Sequence, residues 1–203
     1  MNRFGQQALI KLPVVSTNLR KAGNLDNYFD SFVNRLGYFT TKKGIKLFNP
    51  ASRASLAEVE SKLSFQFTEE MKNFWLTFNG CRLVEIYIYG IPQQDYRRIP
   101  KSHDIVEINL VIRSSDFWPK YLLELGQDGF GNYFVADTRQ YNHYGEYQIY
   151  WLDHEQIGSD NEVTKIGEKY AETYNGFLVR ALDSMIEIYN PDGTIKEIGS
   201  NRS

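Results

Sequence analysis

Cys81 is the one thiol of the chain, and it directly follows Asn79-Gly80. A nucleophilic role would need a histidine base beside it, and a cysteine opening an apolar run reads instead as a small buried side chain. His103, His143 and His154 lack metal-ligand spacing. Asp153-His154-Glu155 puts three polar groups in a row, but neighbours on a strand alternate faces and cannot converge on one metal. They read as a turn.

Gly126, Gly129 and Gly131 suggest a phosphate cradle. No Lys-Ser/Thr pair follows, no long helix opens there, and Asp128 would repel phosphate, so a tight turn between strands is expected. No serine has the glycine setting of a nucleophile elbow. Among the many acids, nothing singles out one pair for glycoside chemistry. The residue types therefore point away from catalysis, metal and cofactor, and toward contact with another macromolecule.

Charge indicates what that macromolecule would be. The net charge is −2, yet residues 1–100 hold 14 basic and 8 acidic side chains while residues 101–203 hold 9 and 17. The stretch 116–162 is the extreme, with nine acids against Lys120 and Arg139. Such a field attracts a basic partner and repels nucleic acid; the plain alternative is a solvated face that keeps the chain soluble. Tyr96, Arg97, Arg98 and Lys101 form a basic cluster too small to outweigh it. Tyr141 and Tyr144, with Asp128, Asp137, Glu146, Asp153 and Glu155, are the candidate partner-binding residues. Tyrosine supplies apolar area and a hydroxyl at low entropy cost, although it also lines half-buried strands.

These residues need a scaffold. A chain of 203 residues with 42% hydrophobic and 15% aromatic side chains can bury a full core without disulfides. One cysteine permits no internal disulfide framework and no multi-thiolate zinc site. Met1 to Leu12 has no apolar run of signal-peptide length, and no run of about 18 apolar residues occurs. A soluble, cytoplasmic protein without a membrane span is expected.

Along the chain, residues 1–23 read as an irregular arm. Leu25, Phe29, Phe32, Val33 and Leu36 lie at helical spacing before Gly37. Residues 38–50 read as a strand or connector. Ser55-Leu-Ala-Glu58 fits a capping box for a short helix through Leu56, Val59 and Leu63. Thr68-Glu69-Glu70 starts a second helix with Met71, Phe74, Trp75 and Phe78 on its buried side, and Asn79-Gly80 ends it.

Leu83–Tyr89 reads as a strand, 93–104 as a polar loop, and Ile105–Ile112 as strand or helix. Asp128-Gly-Phe-Gly-Asn132 reads as a hairpin turn into a strand at 133–137, with its partner at Tyr147–Leu152. A last helix spans 167–185. Met185–Tyr189, Asn190-Pro-Asp-Gly193 and Thr194–Ile198 give a hairpin signal. The order implies an α+β domain with a central, mostly antiparallel sheet and helices packed around it.

Several of these blocks resemble the SUKH superfamily: the Ser55–Leu63 helix with Glu58 and Glu60; Phe67-Thr68, where the family usually has Leu-Pro; and Phe78-Asn79-Gly80. Tyr89-Gly-Ile-Pro92, Leu125–Asp137, Tyr150–Glu155 and the helix around 171–183 follow in the family's order. The resemblance covers residues 50–185 as a SUKH-like domain. Residues 1–49 remain as an N-terminal extension with one helix, and 186–203 as a C-terminal β-hairpin tail. It implies a non-enzymatic binding protein. Bacterial members neutralise secreted toxins, many of them nucleases or other enzymes acting on nucleic acid, and other members act as regulatory scaffolds.

Overall fold

The structure, a computed structural model, describes residues 26–39, 44–92, 100–157 and 167–197. Helices α1 (Asp26–Leu36), α2 (Arg53–Leu63), α3 (Glu69–Thr77), α4 (Ile105–Arg113) and α5 (Tyr174–Ile188) surround strands β1 (Ile45–Leu47), β2 (Cys81–Leu83), β3 (Ile86–Ile88), β4 (Leu122–Gln127), β5 (Tyr133–Asp137), β6 (Ile149–Leu152) and β7 (Gly167–Ala171). The strands form one seven-stranded sheet in chain order. Every neighbouring pair is antiparallel. The expected α+β architecture with an antiparallel sheet is present.

The two faces of the sheet are unequal. The larger core gathers Phe29, Phe32 and Leu36 of α1, Met71, Phe74 and Trp75 of α3, and Phe177, Leu178 and Leu182 of α5 against Leu83, Ile88, Leu123, Leu125 and Phe134. The smaller core holds Trp118, Leu122, Val135, Tyr150 and Leu152, with Ile112, Tyr121, Tyr133 and Ile157 packed at its edge. Alternation along β5 sends Phe134 and Ala136 to the first and Val135 to the second. Helix α1 thus completes the larger core, with Phe32 fully buried between the rings of Phe74 and Phe78.

Caps decide where helices begin. Thr68, Thr173 and Asp104 each accept a first-turn backbone N–H, from Met71, Gly176 and Val106 respectively. Asp104 accepts from Glu107 as well, and this cap resolves Ile105–Ile112 as a helix. The cap of α2 is Ser52, one turn before the expected Ser55; its Oγ accepts from Ser55 N at 3.0 Å. Glu58 is left to pair with Lys62 at 2.7 Å.

Three other expectations need correction. Leu83–Tyr89 is not one strand: β2 and β3 turn tightly between Leu83 and Ile86, with Val84 at φ 53°. A β-branched residue at positive φ carries no turn signal, so the apolar run conceals the reversal. Residues 167–171 are the edge strand β7 rather than helix, because Thr173 provides the cap only two residues later. Helix α5 continues to Ile188 because Met185 extends its buried stripe from Leu178, Ala181 and Leu182. The tail hairpin therefore lacks its first strand. The Asn190–Gly193 turn forms, and Tyr189 alone bridges to Ile195.

Candidate functional site

The seven candidate partner-binding residues fall into two groups at opposite ends of the β5–β6 pair. Asp128, Asp153 and Glu155 lie where Tyr133 pairs with Leu152. Asp137, Tyr141, Tyr144 and Glu146 lie beyond the Ala136–Ile149 pair. The five residues of β5 separate the groups by roughly 14 Å at about 3.4 Å per residue.

At the first end, Asp128 organises its own turn. Its Oδ1 accepts from Phe130 N at 2.9 Å and Asn132 N at 3.0 Å; its Oδ2 accepts from Asn132 Nδ2 at 2.9 Å and Trp151 Nε1 at 3.2 Å. Both oxygens are engaged, so this carboxylate shapes the hairpin. Asp153 likewise turns the chain after β6, accepting from Glu155 N at 3.0 Å. His154 lies 3.0 Å from Asn132 Oδ1, and the Asp-His-Glu run is the turn its spacing suggests. Glu155 points to solvent.

At the second end, Arg139 clamps Asp137 through Nε and Nη2, at 3.0 and 2.7 Å, while lying over the Tyr121 ring. Tyr141 and Tyr144 are 52% and 45% exposed. Their loop is held firmly. Asn142 Oδ1 accepts from Tyr144 N at 2.9 Å and Glu146 N at 3.1 Å, and its Nδ2 reaches Glu172 O. Tyr141 stacks on Tyr147 with ring centroids 4.7 Å apart, and the Tyr147 hydroxyl donates to Gln66 O. Two exposed rings on a pinned loop resemble the low-entropy anchors of protein interfaces.

Glu146 is not at the surface. It is only 4% exposed, and its Oε1 accepts from Glu70 N at the start of α3. Glu70 in turn accepts from Asn175 N, 2.7 Å away, at the start of α5. Each carboxylate thus caps a helix start that its own loop or helix packs against, where the helix dipole favours negative charge. Burial pushes the Glu146 carboxyl up to about 7, against the hydrogen bond from Thr68, and the neighbouring Glu70 carboxylate adds to the rise. Burial also raises Glu70, opposed by hydrogen bonds from Asn175 and Thr173.

The exposed negative field is accordingly thinner than the count of nine acids in residues 116–162 implies. Glu124 and Glu146 are buried, while Asp128 and Asp137 are engaged by neighbours. Asp160 and Glu162 lie outside the described residues, as do Tyr96, Arg97 and Arg98 of the basic cluster.

Glu124 gave no sign as a site residue beyond being one acid inside Leu122-Leu-Glu-Leu125, which was the available signal. It is fully buried. Tyr89 Oη donates to its Oε1 at 2.6 Å, and Gln127 Nε2 donates to the same oxygen at 3.0 Å. Asn109 of α4 holds its backbone from both sides, donating to Glu124 O and accepting from Glu124 N, each at 2.8 Å. Burial lifts this carboxyl to about 7, with the Tyr89 and Gln127 hydrogen bonds pulling the other way.

Cys81 is fully buried, and burial pushes its thiol far above the usual range, so no thiolate is on offer. Among the described residues, no group of three or more His, Cys, Asp or Glu could hold a metal. No helix among them is long and apolar enough to cross a membrane.

Comparison with curated proteins finds no match. The profile of the SMI1/KNR4 family (SUKH-1), however, matches residues 50–178, which run from just before α2 into α5. Its span contains the whole of β2–β7, the caps that join α3 to α5, and both ends of the β5–β6 pair. With well over half of the 203 residues matched, the chain belongs to the SMI1/KNR4 family (SUKH-1).

Proposed function

We propose that this chain is an immunity protein, which binds a cognate toxin and neutralises it by occupying its surface, without making or breaking bonds. Family membership supports a protein partner. The single observation that carries the reading is the pinned loop at the second end of β5–β6, which presents Tyr141 and Tyr144 to solvent on a rigid base. Such rings anchor an interface at a low ordering cost. Asp153 and Glu155, about one strand length away, lie within the footprint of a standard interface of about 800 Å² per partner. They supply negative charge that would steer a basic toxin toward this end of the sheet.

The test uses a candidate toxin domain, identified by its co-purification with this chain from the native host. Cells expressing that domain should grow only when this chain is co-expressed. The pair Tyr141→Ala and Tyr144→Ala should abolish rescue while leaving the chain folded. Failure of the unaltered chain to rescue growth would sink the reading and leave a regulatory scaffold as the alternative. Full rescue by the double variant would move the contact surface elsewhere.

A further inference from the structure

Helix α4 and the second face of β4 and β5 line an open surface pocket of about 340 Å³. Ile108, Val111 and Ile112 of α4 form one wall; Gln127, Tyr133 and Glu124 form the other. Its volume is at the low end of ligand pockets, which run from about 300 to 1,000 Å³, and suits one long side chain. Val111 is 65% exposed and Leu110 is 51% exposed, so an apolar rim continues outward along α4.

The chemistry of the wall is specific. Tyr89 and Gln127 both donate to Oε1 of Glu124, whereas among the described residues no donor reaches the buried Oε2. A buried acceptor left in that state costs about 1–3 kcal/mol, and more when charged. In the ionised form only a donor can complete it, and a cationic donor forms the strongest such bond. The apolar residues of α4 match the methylene stem of lysine or arginine, and the Tyr133 ring offers a π-face to the charge.

The other charged groups nearby leave the place open. Glu107, at the lip, is held by Lys101 at 3.3 Å. Arg113 points away, donating to Leu122 O and Leu63 O.

We infer that this pocket receives a lysine or arginine side chain of the bound partner, with Glu124 Oε2 as its acceptor. The inference rests on the chain being a protein-binding module, and it adds a second contact distinct from the tyrosine loop.

The test uses n-butylguanidinium as the arginine side chain and n-butylurea as its neutral counterpart, followed by NMR of the full chain. Saturable shifts of the Ile108 and Ile112 methyls and the Tyr133 ring are expected with the cation alone, in the millimolar range. Glu124→Gln should weaken binding at least tenfold. Val111→Trp, at an exposed mouth residue, should block it without touching the carboxylate. Because Glu124 titrates near 7, affinity should rise about tenfold between pH 6 and pH 8 as the carboxylate ionises. The groups facing it are Tyr89, Gln127, Tyr133, Glu107 and Asn109; burial raises the Tyr89 and Tyr133 hydroxyls, so neither loses its proton over that interval. Equal shifts with n-butylurea, or unchanged binding in both variants, would overturn the inference. Neither result would bear on toxin rescue, so the two readings fail separately.

Discussion

Replacing Glu124 by glutamine tests whether a buried carboxyl makes this fold less stable as pH rises. The ordinary value of 4.5 rises to about 7 in the folded chain. Between those values the folded state holds a proton that the unfolded chain has released, so stability falls as pH increases through 7. At about 1.4 kcal/mol for each pH unit between the two values, the full effect is about 3 kcal/mol. Part of it is already felt at pH 5, which leaves about 2 kcal/mol to appear between pH 5 and pH 8. Glutamine keeps an acceptor for Tyr89 and Gln127 but cannot ionise. Urea unfolding of both proteins at pH 5, 6, 7 and 8 should show the variant gaining on wild type by about 2 kcal/mol across the series. Glu146, with the same upward displacement, is common to both proteins and cancels in the difference. A difference that stays flat with pH would refute the assignment of Glu124 as a buried, costly carboxylate.

Asn79→Ala removes both bonds to the buried Ile91 backbone, at 2.7 and 3.1 Å, and should cost about 3 kcal/mol by urea midpoint. Asn79→Gly should be less damaging by about 1 kcal/mol, since Asn79 sits at φ 49°. Gly126→Ala would place a Cβ 2.1 Å from Tyr87 O across the β3–β4 pair, so a loss above about 3 kcal/mol is expected in thermal unfolding. Gly131→Ala meets no atom within 4 Å and should cost only about 1 kcal/mol for its φ of 86°. Arg113→Lys should cost about 2 kcal/mol, because a single ammonium cannot reach Leu63 O and Leu122 O together; an unchanged midpoint would exclude that bridge.

The residues legible in the sequence were those that act locally. Thr68 with Glu69 and Glu70 marked the start of α3, and Asp128 to Asn132 marked the β4–β5 turn. The features that stayed hidden depend on partners distant in the chain. Val84 turns without any turn residue. Residues 167–171 share a helical apolar pattern with residues 174–185 and become a strand because β6 is there to pair with them.

The same limit applied to the site. Formal charge counted Glu146 as surface, but its carboxylate is drawn inward by the Glu70 N–H at the start of α3, 76 residues away. Asp137 is neutralised by Arg139 two residues on, a pairing that a tally of acids and bases does not reveal. Tyr141 and Tyr144 remained exposed because Asn142, between them, spends its side chain on holding the loop.

A toxin blocked by occupation is inhibited one for one, with nothing covalent left behind. Titrating the purified chain into the activity assay of the co-purifying toxin candidate, with intact masses read afterwards, tests that most directly. Inhibition complete at one equivalent, with both masses unchanged, is the expected result. Inhibition at far below one equivalent, or a toxin of altered mass, would show that the chain is an enzyme and contradict the binding mechanism.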